Sequence, residues 1–201
     1  RLSLLGDEWA LVRTGRHSVA DYLTLAAGFG MERTSGVLDE LSDRLDTIHA
    51  SLAGDRERPG VEAFVRSLFK PLLADLGLAS AAADADDRRA LRAVVVGTLG
   101  TSGNDAEVIA FARTLVDRSL AGGPPLDPSI AATVLHVAAR RGDRALFDAL
   151  VDAAKGASSP EAYYRYLGTL AHFEDPSLID RGLERALTDE VRSQDASQYV
   201  R

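Results

Sequence analysis

Leu2, Leu5, Trp9 and Val12 fall on one line when the chain is wound at 3.6 residues per turn. Val37, Leu38, Leu41, Leu45, Ile48 and Leu52 make a second line. Val61, Phe64, Val65, Leu68, Phe69, Leu72 and Leu73 make a third. Spacings of three and four mark helices with one buried face. No run alternates apolar and polar positions as a half-buried strand does. The nearest approach, RAVVVGTL at residues 92–99, shares a helical pattern with Leu91 and Leu99 and is read as helix.

Turn chemistry cuts this pattern into roughly ten helices, over 2–14, 18–29, 35–53, 59–76, 86–100, 104–121, 127–141, 143–155, 160–173 and 175–188. Gly15 stops the first helix, and Ser18 with Asp21 three residues on has the form of a capping box. Asp127-Pro128, Ser159-Pro160 and Asp175-Pro176 each put an acceptor side chain before a Pro at the first helical position. Gly142-Asp143 ends one helix and caps the next. Pro71, inside the third line, predicts a kink or break. Residues 80–87, SAAADADD, read as the loosest segment, and 120–127, LAGGPPLD, as a turn.

In the second half, capped helices begin near Asn104, Asp143 and Asp175, each preceded by a partner helix, with a pair period of roughly 32 to 39 residues. A helix-pair period of that size predicts an all-α solenoid of HEAT or armadillo-like antiparallel pairs. The tetratricopeptide pattern of Trp, Leu-Gly and Tyr is absent, so HEAT-like pairs fit better.

Composition narrows the chemistry. The 201 residues suffice for one sizeable domain, expected to be a single helical-repeat domain over 1–201. A net charge of −7 opposes a phosphate backbone, so no nucleic-acid partner is expected. The absence of Cys rules out disulfides, thiol catalysis and Cys-ligated metal. It fits a reducing compartment such as the cytoplasm, with the periplasm or secretion left open. No apolar run has the length of a membrane span, and no signal peptide leads the chain, so no membrane partner is expected. All but two of the 23 basic residues are Arg, and Ala is abundant, a bias that points to a GC-rich, bacterial genome. The chain opens on Arg1 and not Met, which suggests a fragment or processed product.

Few residues then offer catalysis. His17, His49, His136 and His172 each lack a second His three to five residues away, so no helical zinc pair exists. GTLGTSGND at 97–105 has neither the G-x-S-x-G spacing nor a G-K-[ST], and reads as a turn between helices. Asp84, Asp86 and Asp87 read as a solvated loop and cap cluster. Asp39, Glu40 and Asp43 read as the polar side of a helix. PEAYYRYL at 160–167 is the most site-like cluster. Tyr164 and Arg165 point away from the face of Tyr163, Leu167 and Leu170, and suit either rim packing or a partner contact. No catalytic, cofactor or metal residue is assigned.

The order of these blocks resembles the C-terminal helical domain of zinc aminopeptidases of the aminopeptidase N and endoplasmic-reticulum aminopeptidase type. Asp7, Ala10, Leu11, Gly15 and Ser18 match the entry to that domain. ALRAVVVGTLG, LDPSIAATVLHVAARRGDRALFDALV and SSPEAYYRYLGTLAHFEDPSLIDRGLERAL follow in order, then EVRSQD from Glu190 to Asp195. The resemblance implies a HEAT-like solenoid arching over a separate zinc-bearing catalytic domain of the same chain, enclosing a peptide chamber. The zinc motif H-E-x-x-H and the exopeptidase motif G-x-M-E-N are absent here, so zinc is expected in that other domain. On this reading the fragment alone is not an enzyme, and its partners are the catalytic domain and, in the full enzyme, a peptide substrate. Tyr164, Arg165, Arg192, Gln194 and Asp195 are the candidate contact residues. The last three serve equally as a helix-terminal hydrogen-bond network. The rival is a free-standing helical-repeat scaffold for protein binding. A small helical enzyme has no supporting constellation.

Overall fold

The computed structural model describes residues 1–81, 83–188 and 191. Among them there are ten α-helices and no strand. The helices are α1 (Leu2–Arg13), α2 (Val19–Ala27), α3 (Ser35–Thr47), α4 (Arg58–Leu76), α5 (Asp86–Gly100), α6 (Ala106–Leu120), α7 (Ala131–Arg140), α8 (Arg144–Lys155), α9 (Pro160–Thr169) and α10 (Pro176–Ala186). A π-helical turn, Ile48–Leu52, continues α3, and a 3-10 turn, Leu170–His172, continues α9. The chain forms two compact units, Arg1–Val108 and Ile109–Arg201, divided within α6.

In the first unit, α1 packs on α2 and α3, and α5 packs on both α3 and α4. Leu5, Val37, Leu38, Leu41, Leu45, Val65, Phe69, Leu72, Val95 and Leu99 form its core. The predicted lines supply most of these side chains. Trp9 meets Tyr22 edge to face with ring centroids 5.2 Å apart, and the Arg44 guanidinium lies over the indole at 5.6 Å. Ser18 Oγ accepts from the Asp21 amide while Asp21 accepts from the Ser18 amide, completing the capping box. Gly15, at φ +70°, takes the left-handed position that stops α1.

Three expectations change here. Of the kink or break expected at Pro71, the break is absent, and α4 continues to Leu76. Leu68, Phe69, Leu72 and Leu73 are all buried around it, and that burial outweighs a penalty of about 3 kcal/mol for an interior Pro. Leu52, four residues beyond buried Ile48, is 53% exposed. The Ala53 amide bonds back five residues to Ile48, so the wider turn carries Leu52 off the buried line.

The third change is the largest. Ser80 and Asp84, inside the segment read as loosest, are held by Arg92, the largest fully buried side chain described. Its Nε donates to the Gly77 carbonyl at 3.0 Å. Nη2 reaches the Leu76 carbonyl at 2.9 Å and Asp84 Oδ2 at 2.6 Å, and Nη1 reaches Ser80 Oγ at 3.3 Å. Asp84 therefore sits in the clamp and not in a solvated cluster. The last carbonyls of α4, orphaned by the end of the helix, find a cationic donor.

In the second unit, α9 packs against both α7 and α8, and the 3-10 turn touches α7, α8, α9 and α10. Asp143, Ser159 and Asp175 cap their helices as read from sequence. Asp127 instead accepts from the Ser129 amide and hydroxyl, and α7 proper begins at Ala131, one turn late. Phe147 and Phe173 meet edge to face at 5.2 Å, with the Arg181 guanidinium 5.3 Å above the Phe147 ring. Gly142 makes this possible. A Cβ there would stand 2.4 Å from Phe173 Cε1 and 3.0 Å from the Ala139 carbonyl.

Two outcomes follow for thermal or denaturant unfolding of the 201-residue chain. Gly142→Ala lowers stability by about 1–3 kcal/mol, because the Phe173 ring has to move from a packed site. Arg92→Met lowers it further than Gly142→Ala does. It strips partners from Asp84 and from two helix-end carbonyls at once. Equal stability of the Met variant and the parent would contradict the clamp.

Candidate functional site

A polar cluster lies in the first unit, between the π turn after α3, α4 and the turn from α5 to α6. Ser102, fully buried, donates to Asp46 Oδ1 at 2.9 Å. Ser42 and Thr98 share a hydrogen bond of 2.6 Å. His49 Nε2 lies 3.3 Å from Glu62 Oε1, which also accepts from Asn104 Nδ2 at 3.2 Å. Lys70 Nζ pairs with the buried Asp105 carboxylate at 2.9 Å. Asn104 occupies a left-handed conformation at φ +44°.

Ser, His and acid are all present, but not as a nucleophilic relay. A triad needs the His between acid and hydroxyl. Here the Ser102 hydroxyl donates its hydrogen bond directly to Asp46, and His49 Nε2 faces Glu62. Ser102 has no exposed surface for a substrate to reach. The cluster ties the 97–105 turn to α3 and α4, in keeping with its reading as a connection between helices.

A second polar group escaped the sequence reading. His136 on α7 and His172 on the 3-10 turn stack with centroids 3.8 Å apart and planes 22° from parallel. Burial, and then the nearby Arg140 cation, hold His172 below its ordinary value of 6.5. The separation of the two His falls within the helix-pair period, which was the available signal. A search for ligands one helical turn apart missed it. Among the described residues, no group of three or more His, Cys, Asp or Glu could hold a metal ion.

Tyr164 and Arg165 lie on α9, half-buried. Tyr163 and Tyr164 meet edge to face at 5.2 Å, and Arg165 pairs with Glu161 one turn back. Arg192, Gln194 and Asp195 lie outside the described residues. His17 pairs with Glu8 at 2.6 Å in the α1–α2 turn. On the polar side of α3, Glu40 pairs with Arg44. Burial, then the like charges of Asp39 and Glu40, raise the Asp43 carboxyl.

The start of α1 and the α2–α3 connection form a groove of about 370 Å³ whose lining includes Leu4, Leu25, Phe29 and Met31, with Arg1 and Glu32 at its side. Glu32 is buried. Its Oε1 accepts from the amides of Arg33 and Thr34 at 2.9 Å each, and Oε2 takes the Arg1 guanidinium at 2.6 Å. These donors, the Thr34 amide foremost, hold the carboxyl at about 2 against an ordinary 4.5.

The fold and this inventory together define an all-helical domain of packed helix pairs, with no nucleophilic relay or metal cluster among the described residues. The chain belongs to the ERAP1-like C-terminal domain family, whose model matches residues 1–201. It is 26% identical to Aminopeptidase 2 of Candida albicans over 199 residues, covering 97% of this chain and 21% of that protein. It is 26% identical to the puromycin-sensitive aminopeptidase of Caenorhabditis elegans, with the same coverage. Against Aminopeptidase M1 of Arabidopsis thaliana it is 28% identical over 203 residues, 98% of this chain and 23% of that protein. The chain thus spans between a fifth and a quarter of these curated relatives.

The Glu32 network predicts a pH signature. A depressed carboxyl adds stability above its unfolded value and loses it as pH falls toward the folded value. Unfolding midpoints followed by circular dichroism from pH 6 to pH 2 should drop between about 4.5 and 2. Glu32→Gln should be less stable at pH 6 and flatten that drop. An unchanged profile in the variant would remove Glu32 as its source.

Proposed function

We propose that this chain is the non-catalytic C-terminal domain of a zinc metallo-aminopeptidase. The observation that carries the reading is the match of the whole chain to a C-terminal domain family whose relatives here are aminopeptidases several times longer. The described residues do not fit a zinc ion: His136 and His172 are a stacked pair without a third ligand. Zinc and the hydrolytic step therefore belong to the catalytic domain of the same chain. No step of the reaction is routed through these helices.

The contribution of the domain is steric and orientational. A helical-repeat domain closing over a catalytic centre excludes folded proteins and holds a peptide near the metal. Tyr164 and Arg165 form part of the chamber-facing wall in this reading. Tyr164 offers an amphipathic ring, and Arg165 a guanidinium already oriented by Glu161. Arg192, Gln194 and Asp195 fix a helix end or touch the catalytic domain. The single-domain organisation over 1–201 belongs to the same proposal, as does a cytoplasmic location. No described helix is long and apolar enough to cross a membrane. The bacterial origin rests on the Arg and Ala bias alone, and the relatives named above are fungal, nematode and plant.

The 201-residue chain should show neither turnover of an aminoacyl-anilide nor stoichiometric zinc, whereas the full-length protein should show both. Chelator-sensitive turnover by the short chain would overturn the assignment, and its absence in the full-length protein would favour a free-standing scaffold. In the full-length enzyme, Arg165→Ala should change the preference for peptide length several-fold and leave selection of the first residue unchanged. Arg192→Ala should lower stability without altering length preference.

A further inference from the structure

The turn from α5 to α6 is gripped by three side chains of α4. Glu62, Arg66 and Lys70 follow one another in steps of four residues and so share one face of that helix. Glu62 Oε1 accepts from Asn104 Nδ2 at 3.2 Å, Arg66 Nη1 donates to the Gly103 carbonyl at 2.5 Å, and Lys70 Nζ pairs with Asp105 Oδ2 at 2.9 Å. The turn is tight. Asn104 lies at φ +44°, and a Cβ at Gly103 would stand 2.8 Å from the Leu99 carbonyl oxygen. Asp105 is the buried end of this ladder: its side chain is 4% exposed, whereas that of Lys70 is 49% exposed. The other Asp105 oxygen accepts from the Val108 amide at 3.3 Å, in the first turn of α6. Lys70 thus supplies the cation for a carboxylate that has no path to water, while its own side chain reaches solvent. It is also the only lysine among residues 1–108. The guanidinium of Arg66 stays protonated and is no nucleophile, whereas a lysine amine is one.

We propose that Lys70 is an acyl-acceptor site, at which modification by an acyl phosphate or acyl thioester releases the α5–α6 turn from α4. An amine that has given one proton to water attacks the acyl carbonyl carbon. The C–N bond forms, the bond from that carbon to phosphate oxygen or thiol sulfur breaks, and its electron pair leaves with the phosphate or thiolate. A second proton passes from Nζ to water. The ammonium has become a neutral amide, and Asp105 stays buried with its cation gone. Removing one partner of a buried pair costs far more than losing an exposed pair, so the loss falls on the turn. The packing of α5 on α4 does not depend on that charge.

The 201-residue chain is incubated with acetyl phosphate, and acetylation at Lys70 and Lys155 is read by mass spectrometry. Amide hydrogen exchange of residues 99–108 is followed on the same samples, with residues 35–47 of α3 as the reference. Acetylation at Lys70 should raise exchange in 99–108 by about tenfold and leave the reference unchanged. Lys70→Arg keeps the cation and accepts no acyl group. It should exchange like the untreated parent, with or without the reagent. Because it retains Lys155 and the terminal amine, it separates Lys70 from every other amine. Lys70→Gln should show the raised exchange with no reagent present. Absence of acetylation at Lys70 overturns the acceptor site. So does acetylation there with unchanged exchange in 99–108. A rise that Lys70→Arg shares overturns it too, since another amine is then responsible.

Discussion

A single buried guanidinium organises the α4–α5 corner of the first unit. Arg92 brings a full charge into an interior that charges it several kcal/mol for desolvation. It is tolerated because every direction around it holds an acceptor: the ends of α4, a serine hydroxyl and the Asp84 carboxylate. Amide donation from Ala81, then the Arg92 hydrogen bond, hold Asp84 below the usual carboxylate range and keep it ionised. Arg88 adds a second cation to the same carboxylate at 3.3 Å. The route of the chain from α4 to α5 follows from this arrangement, and so does the packing of α5 on both α3 and α4. The Ser102–Asp46 and Lys70–Asp105 tethers then secure the other end of α5.

The second unit reaches order differently, through absence of volume. Its central contact is Phe173 against Phe147, placed where Gly142 leaves room for a ring edge. The Gly-Asp turn thus does two jobs. Gly142 admits the aromatic from the following repeat, and Asp143 caps α8 while accepting from Arg113 at 3.2 Å. A local turn signature and a long-range packing requirement coincide in two adjacent residues. Their effect on stability is therefore larger than capping alone would supply.

Most of the helices were legible because capping is local. Ser18, Asp143, Ser159 and Asp175 act within three residues of themselves, and apolar spacing supplied the buried faces between them. What escaped required knowledge of distant neighbours. Pro71 reads as a breaker until the apolar side chains flanking it are known to be buried. Ser80 and Asp84 look solvated until Arg92, further along the chain, is found to reach them. The His136–His172 stack could be anticipated only by superimposing one helix pair on the next. The groove beside Arg1 carries no motif, since Leu4, Leu25, Phe29 and Met31 come together only when α1 and α2 pack. Tyr164 and Arg165 lie on the expected helix, but a half-buried face does not by itself declare what it meets.

The π turn at Ile48–Leu52 has a consequence for how this domain tolerates changes in length. Such a turn holds one residue more than the α-helix around it. Removing one residue there would let α3 close as regular helix, at the cost of the Ala53–Ile48 bond, of the His49–Glu62 contact and of the angle at which the chain leaves for α4. The same deletion inside α4 would rotate every following side chain by about 100° and turn its buried face toward water. The segment is a built-in slack of one residue, so length variation in this half of the domain is best absorbed beside His49 and worst absorbed between Val61 and Leu76.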